Sequence, residues 1–171
     1  LKTVLRPQDT LIDPAIGAAP GNARLLIGEH AETATLSTEF LRAYGSTDKT
    51  TAIEEQQVCV TTLDSLIERF GIPSFIKIDI EGFELEALRG LSQAPPALSF
   101  EINERLVPIA VDVVRRLETL SDSYWFRLSP YEHYRWTRKP ALKAGDFIDW
   151  LSSAELPKTG DIYAFIDKGP S

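Results

Sequence analysis

No methionine occurs among the 171 residues, and the opening LKTVL reads as the end of a helix, so the expected gene product is longer than this chain. The one cysteine, Cys59, sits in the strand-like run VCVTTL. A lone thiol excludes a disulfide framework and a cysteine metal cluster, and it fits a reducing cytoplasm. The only histidines are His30 and His133, which excludes a histidine-rich metal site. No apolar run approaches the roughly 18 residues of a membrane span, and no charged leader with an apolar core opens the chain. The chain therefore reads as soluble and cytoplasmic. Basic charge is also scarce: 18 Lys and Arg against 25 Asp and Glu leave a net charge of −7. Nucleic acid and anionic membranes are held by basic surface, so neither is an expected partner.

What is present suffices for one core: 43% of the residues are hydrophobic, and the length fits a single domain over residues 1–171. The chain alternates β and α patterns. After a short helical end and a turn at Arg6 to Asp9, TLID reads as a strand ending at Asp13. A strand, a tight Ala-Pro-Gly-Asn turn and a second strand follow; then comes a polar stretch with a short apolar helix at about 38 to 44. QVCVTTL is a strand, DSLIERF a helix with Asp64 as its N-cap, and SFIKID a strand. A helix over 83 to 91, the strand ALSFEI and the helix VPIAVDVVRRLETL come next, the last with Ile109, Val113, Leu117 and Leu120 on one face. YWFRL and IYAFI supply two final strands, and the long polar and aromatic connection between them suggests part of a lid.

The most informative stretch is FIKIDIEGFELEALRGL, residues 75 to 91. Its period switches from strand to helix at Glu81 and Gly82, which leaves Asp79 and Glu81 at the carboxyl end of a strand. Ligands of open α/β sheets bind at such ends. The run KIDIEGFELEALRGL resembles the signature of the FkbM family of S-adenosylmethionine-dependent methyltransferases. TTLDSLIERFG, ALSFEIN and GDIYAFID resemble further stretches of that family in the same order. The resemblance implies a Rossmann-like class I methyltransferase sheet, mostly parallel with an antiparallel strand near the C-terminus. It also implies S-adenosylmethionine as cofactor and methyl transfer to a hydroxyl of a sugar, glycolipid or natural product.

The chain departs from the family at Asp13. There the family's first strand runs into a glycine-rich turn of the form D-x-G-A-N-x-G, whereas here Asp13 is followed by PAIGAAPGNARLLIGE. Read as a degenerate glycine loop, Gly17 and Gly21 would approach the cofactor. However, Pro14 and Pro20 lack amide donors, and Arg24 to Ile27 continue as a strand. The expectation is that a cofactor segment of roughly 60 residues, two βαβ crossovers, is missing between Asp13 and Pro14.

Asp79 and Glu81 are the candidate catalytic residues. Two carboxylates at a strand end can take a proton from a substrate hydroxyl or hold a cation that acidifies it. They can also be structural, with Asp79 capping the next helix and Glu81 in its first turn. The proton-accepting or substrate-orienting role is preferred, and no residue is assigned as a metal ligand. Glu101 and Asn103 are candidate substrate-binding residues, because consecutive parallel strands neighbour each other and would set them beside Asp79. His133 is a candidate for substrate binding or general base, with Tyr131 or Trp136 as stacking surfaces for a sugar and Arg135, Arg138 and Lys139 as partners for an anion. The resemblance adds Asp13 and Thr35 as cofactor-binding candidates: Asp13 matches the aspartate at the glycine turn, and Thr35 to Thr38 match a serine and threonine stretch of the family. Two functions follow. One is a methyltransferase acting on a small-molecule or glycan acceptor. The alternative is a truncated, non-catalytic binding or assembly module, whose exposed sheet edge would favour a homo-oligomer.

Overall fold

The computed structural model describes residues 5–27, 34–37, 54–131, 135–137, 140–153 and 155–167. The described strands form two mixed sheets. In the first, β1 (Ala15–Ile16) and β2 (Gly21–Ile27) flank β3 (Glu54–Thr61), with β1 parallel to β3 and β2 antiparallel. The second has the order β4 (Ile76–Ile78), β5 (Ala97–Asn103), β7 (Thr159–Phe165), β6 (Trp125–Pro130). Only β4 and β5 are parallel there; β7 runs antiparallel to both β5 and β6.

The α/β expectation holds, but the single, mostly parallel Rossmann-like sheet does not. The short connection from β1 to β2 is one physical reason. A parallel return needs a crossover of about a dozen residues or more, whereas residues 17–20 only arch over β3. Residues 10–13, expected as a strand, are irregular and pair with no strand among the described residues. Pro14, which has no amide proton, follows directly.

The core lies on one face of the second sheet. Leu98, Phe100 and Ile102 of β5, Ile162 and Ala164 of β7, and Phe126 and Leu128 of β6 alternate along their strands and are buried. They share a cluster with residues of α2 (Glu84–Arg89), α3 (Val107–Leu120) and α4 (Ala144–Ser153). The buried stripe of α3 is Ala110, Val113, Val114 and Leu117, with the expected Ile109 and Leu120 only partly buried at its margins. The connection expected as a lid holds α4, whose Phe147 and Leu151 belong to this core and whose Phe147 ring stacks on Phe126 at 5.5 Å.

Helix ends also differ from expectation. The N-cap of α1 (Leu63–Phe70) is Thr62, whose hydroxyl accepts from the Ser65 amide at 3.1 Å; Asp64 instead accepts from the Ser92 amide at 2.8 Å. The N-cap position of α2 is Phe83, so Asp79 caps no helix. The helix expected near 38 to 44 lies outside the described residues.

Candidate active site

The chain leaves β4 through a tight backbone turn. Glu81 has φ 53 and Gly82 φ 83, so the strand ends in two left-handed residues before α2 begins at Glu84. Glycine adopts this region freely, whereas a glutamate there costs roughly 1–2 kcal/mol, so other contacts must hold it. The contacts come from both sides. The Thr35 hydroxyl donates to the Glu81 carbonyl at 2.8 Å, and the Glu84 carboxylate accepts from the Gly82 amide at 3.1 Å.

Parallel pairing then gathers the carboxylates. Ile78 is paired with Phe100, so the next residues, Asp79 and Glu101, come side by side, as the neighbouring-strand argument expects. One carboxylate oxygen from each of Asp79, Glu81 and Glu101 lies within 4.8 Å of the others. This spacing would admit one divalent cation, and it equally suits hydrogen bonds to a ligand carrying several hydroxyls.

Three acidic groups here are held above their ordinary range. Burial, then the charges of Glu101, Asp79 and Glu84, push the Glu81 carboxyl up to about 7. Burial also raises Glu101, partly offset by the Thr159 hydroxyl, which donates to its Oε1 at 2.7 Å. Glu84, only 4% exposed, is raised by burial against the pull of the backbone amides of Glu84, Gly82 and Ile80. Opposite charge comes from Lys77, whose ammonium contacts Asp161 and lies 3.5 Å from Asp79. Burial works against that ammonium, but Asp161 and Asp79 outweigh it and hold Lys77 above its usual value.

Glu81 and Asp79 also line a cleft of about 420 Å³ between the two sheets. Its other walls are Ala15, Ile16, Leu25, Ala34, Thr35, Leu36, Ile80 and Phe83, an apolar lining with a few polar groups, as small-molecule sites have. Thr35 is therefore part of the cleft wall. Asp13 is exposed, two residues before the wall residue Ala15. Asn103 accepts from the Arg105 amide at 3.0 Å and caps the 3-10 turn Glu104–Leu106. With Gly82, Glu84 and Glu101 it also lines a void of about 20 Å³.

His133, Arg138 and Lys139 lie outside the described residues. Tyr131 is exposed and left-handed at φ 50, and Trp136 packs edge-on against Tyr163 at 5.3 Å while its ring takes the Arg127 guanidinium at 5.1 Å. Gly17 is tied to the end of β3 and packed against Gly90. Its amide donates to the Thr61 carbonyl at 2.9 Å, and its own carbonyl lies so close to Gly90 that a Cβ there would collide with it.

Four residues of the site escaped the sequence reading: Lys77, Glu84, Thr159 and Asp161. Alternation along GDIYAFID does place Asp161 and Tyr163 on one face with Thr159. Only the antiparallel pairing Glu101 to Asp161 brings that face to the carboxylates.

A family model described as Methyltransferase FkbM domain matches residues 5–120, which span both cleft walls, β4, α2, β5 and α3. No match was found among curated proteins. With the matched span covering well over half of its length, the chain belongs to the FkbM methyltransferase family and is a methyltransferase.

Proposed function

We propose that the protein methylates a hydroxyl of a sugar, glycolipid or natural product, with S-adenosylmethionine as the methyl donor that family membership implies. The observation that carries this reading is the Glu81 carboxyl, held near pH 7 at the edge of a cleft of small-ligand size. A base is most effective when its pKa lies near the working pH. The cleft also fits the donor by chemistry: apolar side chains suit an adenine, and carboxylates suit a sulfonium and ribose hydroxyls.

When bound, S-adenosylmethionine supplies an electrophilic methyl group on sulfur. Glu81 would take the proton from the acceptor hydroxyl, leaving that oxygen able to accept the methyl group as the methyl–sulfur bond breaks and the neutral thioether S-adenosylhomocysteine departs. Asp79, tied to Lys77, orients the acceptor, and Glu101, steadied by Thr159, accepts a hydrogen bond from a neighbouring hydroxyl. Asn103 and His133 stand as further acceptor contacts and Asp13 as a donor contact; Thr35 meets the donor only as part of the cleft wall, its hydroxyl being held by the Glu81 carbonyl and the Ser37 amide. The proposed segment between Asp13 and Pro14 would add the glycine turn.

The test is transfer of tritiated methyl from S-adenosylmethionine to a panel of methyl glycosides, using the full-length natural protein. Asp79→Asn and Glu81→Gln are expected to lower kcat by about a hundredfold or more with no fall in melting temperature. Wild-type turnover in both variants would sink these roles. Binding of acceptor without any transfer would favour the non-catalytic module.

A further inference from the structure

The left-handed turn at the end of β4 is braced from outside its own sheet. Thr35 is 1% exposed, and its backbone is tied to Leu26 of β2 by two hydrogen bonds of 2.9 Å. Its hydroxyl accepts from the Ser37 amide at 2.9 Å, which leaves the proton to point at the Glu81 carbonyl, 2.8 Å away. One hydroxyl thus uses both its capacities, one inside the first sheet's margin and one across to the second. Glu84 holds the Gly82 amide from the opposite side.

We propose that Thr35 is a positioning residue: through the Glu81 carbonyl it holds the left-handed Glu81–Gly82 turn that presents the Glu81 carboxylate to the cleft. This rests on the catalytic reading of Glu81, but it concerns a different link. A glutamate relaxes out of the left-handed region once nothing pins its carbonyl. Relaxation would swing the carboxylate away from Asp79 and Glu101, and misplacing a reacting group by about 1 Å costs on the order of a hundredfold in rate. The two sheets share no ladder, so this bond is a direct mechanical link from β2 to the catalytic turn.

The test uses Thr35→Val, which keeps the shape and removes the hydroxyl, and Thr35→Ser, which restores it. The readouts are the Cα and Cβ chemical shifts and HN–Hα coupling of Glu81 by NMR, and kcat for tritiated methyl transfer to methyl glycosides. In Thr35→Val the Glu81 signals are expected to leave their left-handed values and kcat to fall at least about tenfold. Thr35→Ser should return both toward wild type. Thr35→Ala serves the same comparison if the valine variant fails to fold. Unmoved Glu81 signals in the hydroxyl-free variant would overturn the brace, as would a serine variant that behaves like valine. Full turnover in Glu81→Gln would instead overturn the proposed function, since the NMR readout needs no acceptor.

Discussion

Glu81 carries a strained backbone and an unfavourably placed charge in the same residue, and both have measurable consequences. With its carboxyl at about 7, the base form grows as pH rises through that value, so kcat/KM should climb between pH 6 and 8 and level off above. Glu81→Gln should flatten this limb. Stability runs the other way. A carboxyl raised in the folded state binds its proton more tightly there than in the unfolded chain, so its contribution is full below pH 4.5 and is lost as pH rises through about 7. Glu81→Gln should therefore stabilise the fold above pH 7 and not at pH 4. After discounting for solvent screening of this half-exposed group, the gain is on the order of 1 kcal/mol, readable in urea melts at the two pH values. At this scale, Asp79, Glu81 and Glu101 were legible in the sequence, because strand-end position and consecutive parallel pairing follow from local pattern. Lys77 and Asp161 were not, since their contact spans 84 residues and depends on where β7 inserts.

The elements that hold the turn in place are α2 and α3. Arg116 of α3 donates from Nε to the Leu88 carbonyl at 3.1 Å and from Nη2 to the Leu91 carbonyl at 2.6 Å. The Leu88 carbonyl also takes the Leu91 amide at 3.3 Å, so Arg116 adds a charged donor there and a second one at Leu91, tying the end of α2 to α3. Arg116→Met should cost about 1–3 kcal/mol in chemical denaturation, because buried carbonyls lose charged donors. Leu117, fully buried in the stripe that faces this region, should cost about 2–5 kcal/mol as Leu117→Ala. A collision with the Gly17 carbonyl makes Gly90→Ala destabilising as well, although the Gly90 backbone at φ −83 would itself accept an alanine. The existence of α3 was plain from its period, whereas its buried stripe is rotated by one residue from Ile109 to Ala110. Period locates a helix face only to within the angle between adjacent apolar residues, and packing chooses among them.

For the whole molecule, the cleft is the space between two sheets that share no strand pairing, so a ligand filling it should lock them together. S-adenosylmethionine at a hundred times its Kd should add about 2.7 kcal/mol of apparent stability, visible as a rise in melting temperature. No change at saturating concentration would argue against donor binding in this cleft. In protein isolated from its source, peptide mapping is expected to find a further segment after Asp13; a peptide joining Asp13 directly to Pro14 would overturn that part of the proposal. No described helix is long and apolar enough to cross a membrane. The sequence by itself determined the α/β class, the family and the strand end that carries Asp79 and Glu81, because periodicity and short motifs are local and survive without knowing what lies beside them. The tertiary structure alone decided that the strands divide into two mixed sheets, that Thr35 reaches the Glu81 carbonyl, and that burial among other carboxylates raises Glu81. Each of these depends on which distant segments meet, and no local pattern encodes that.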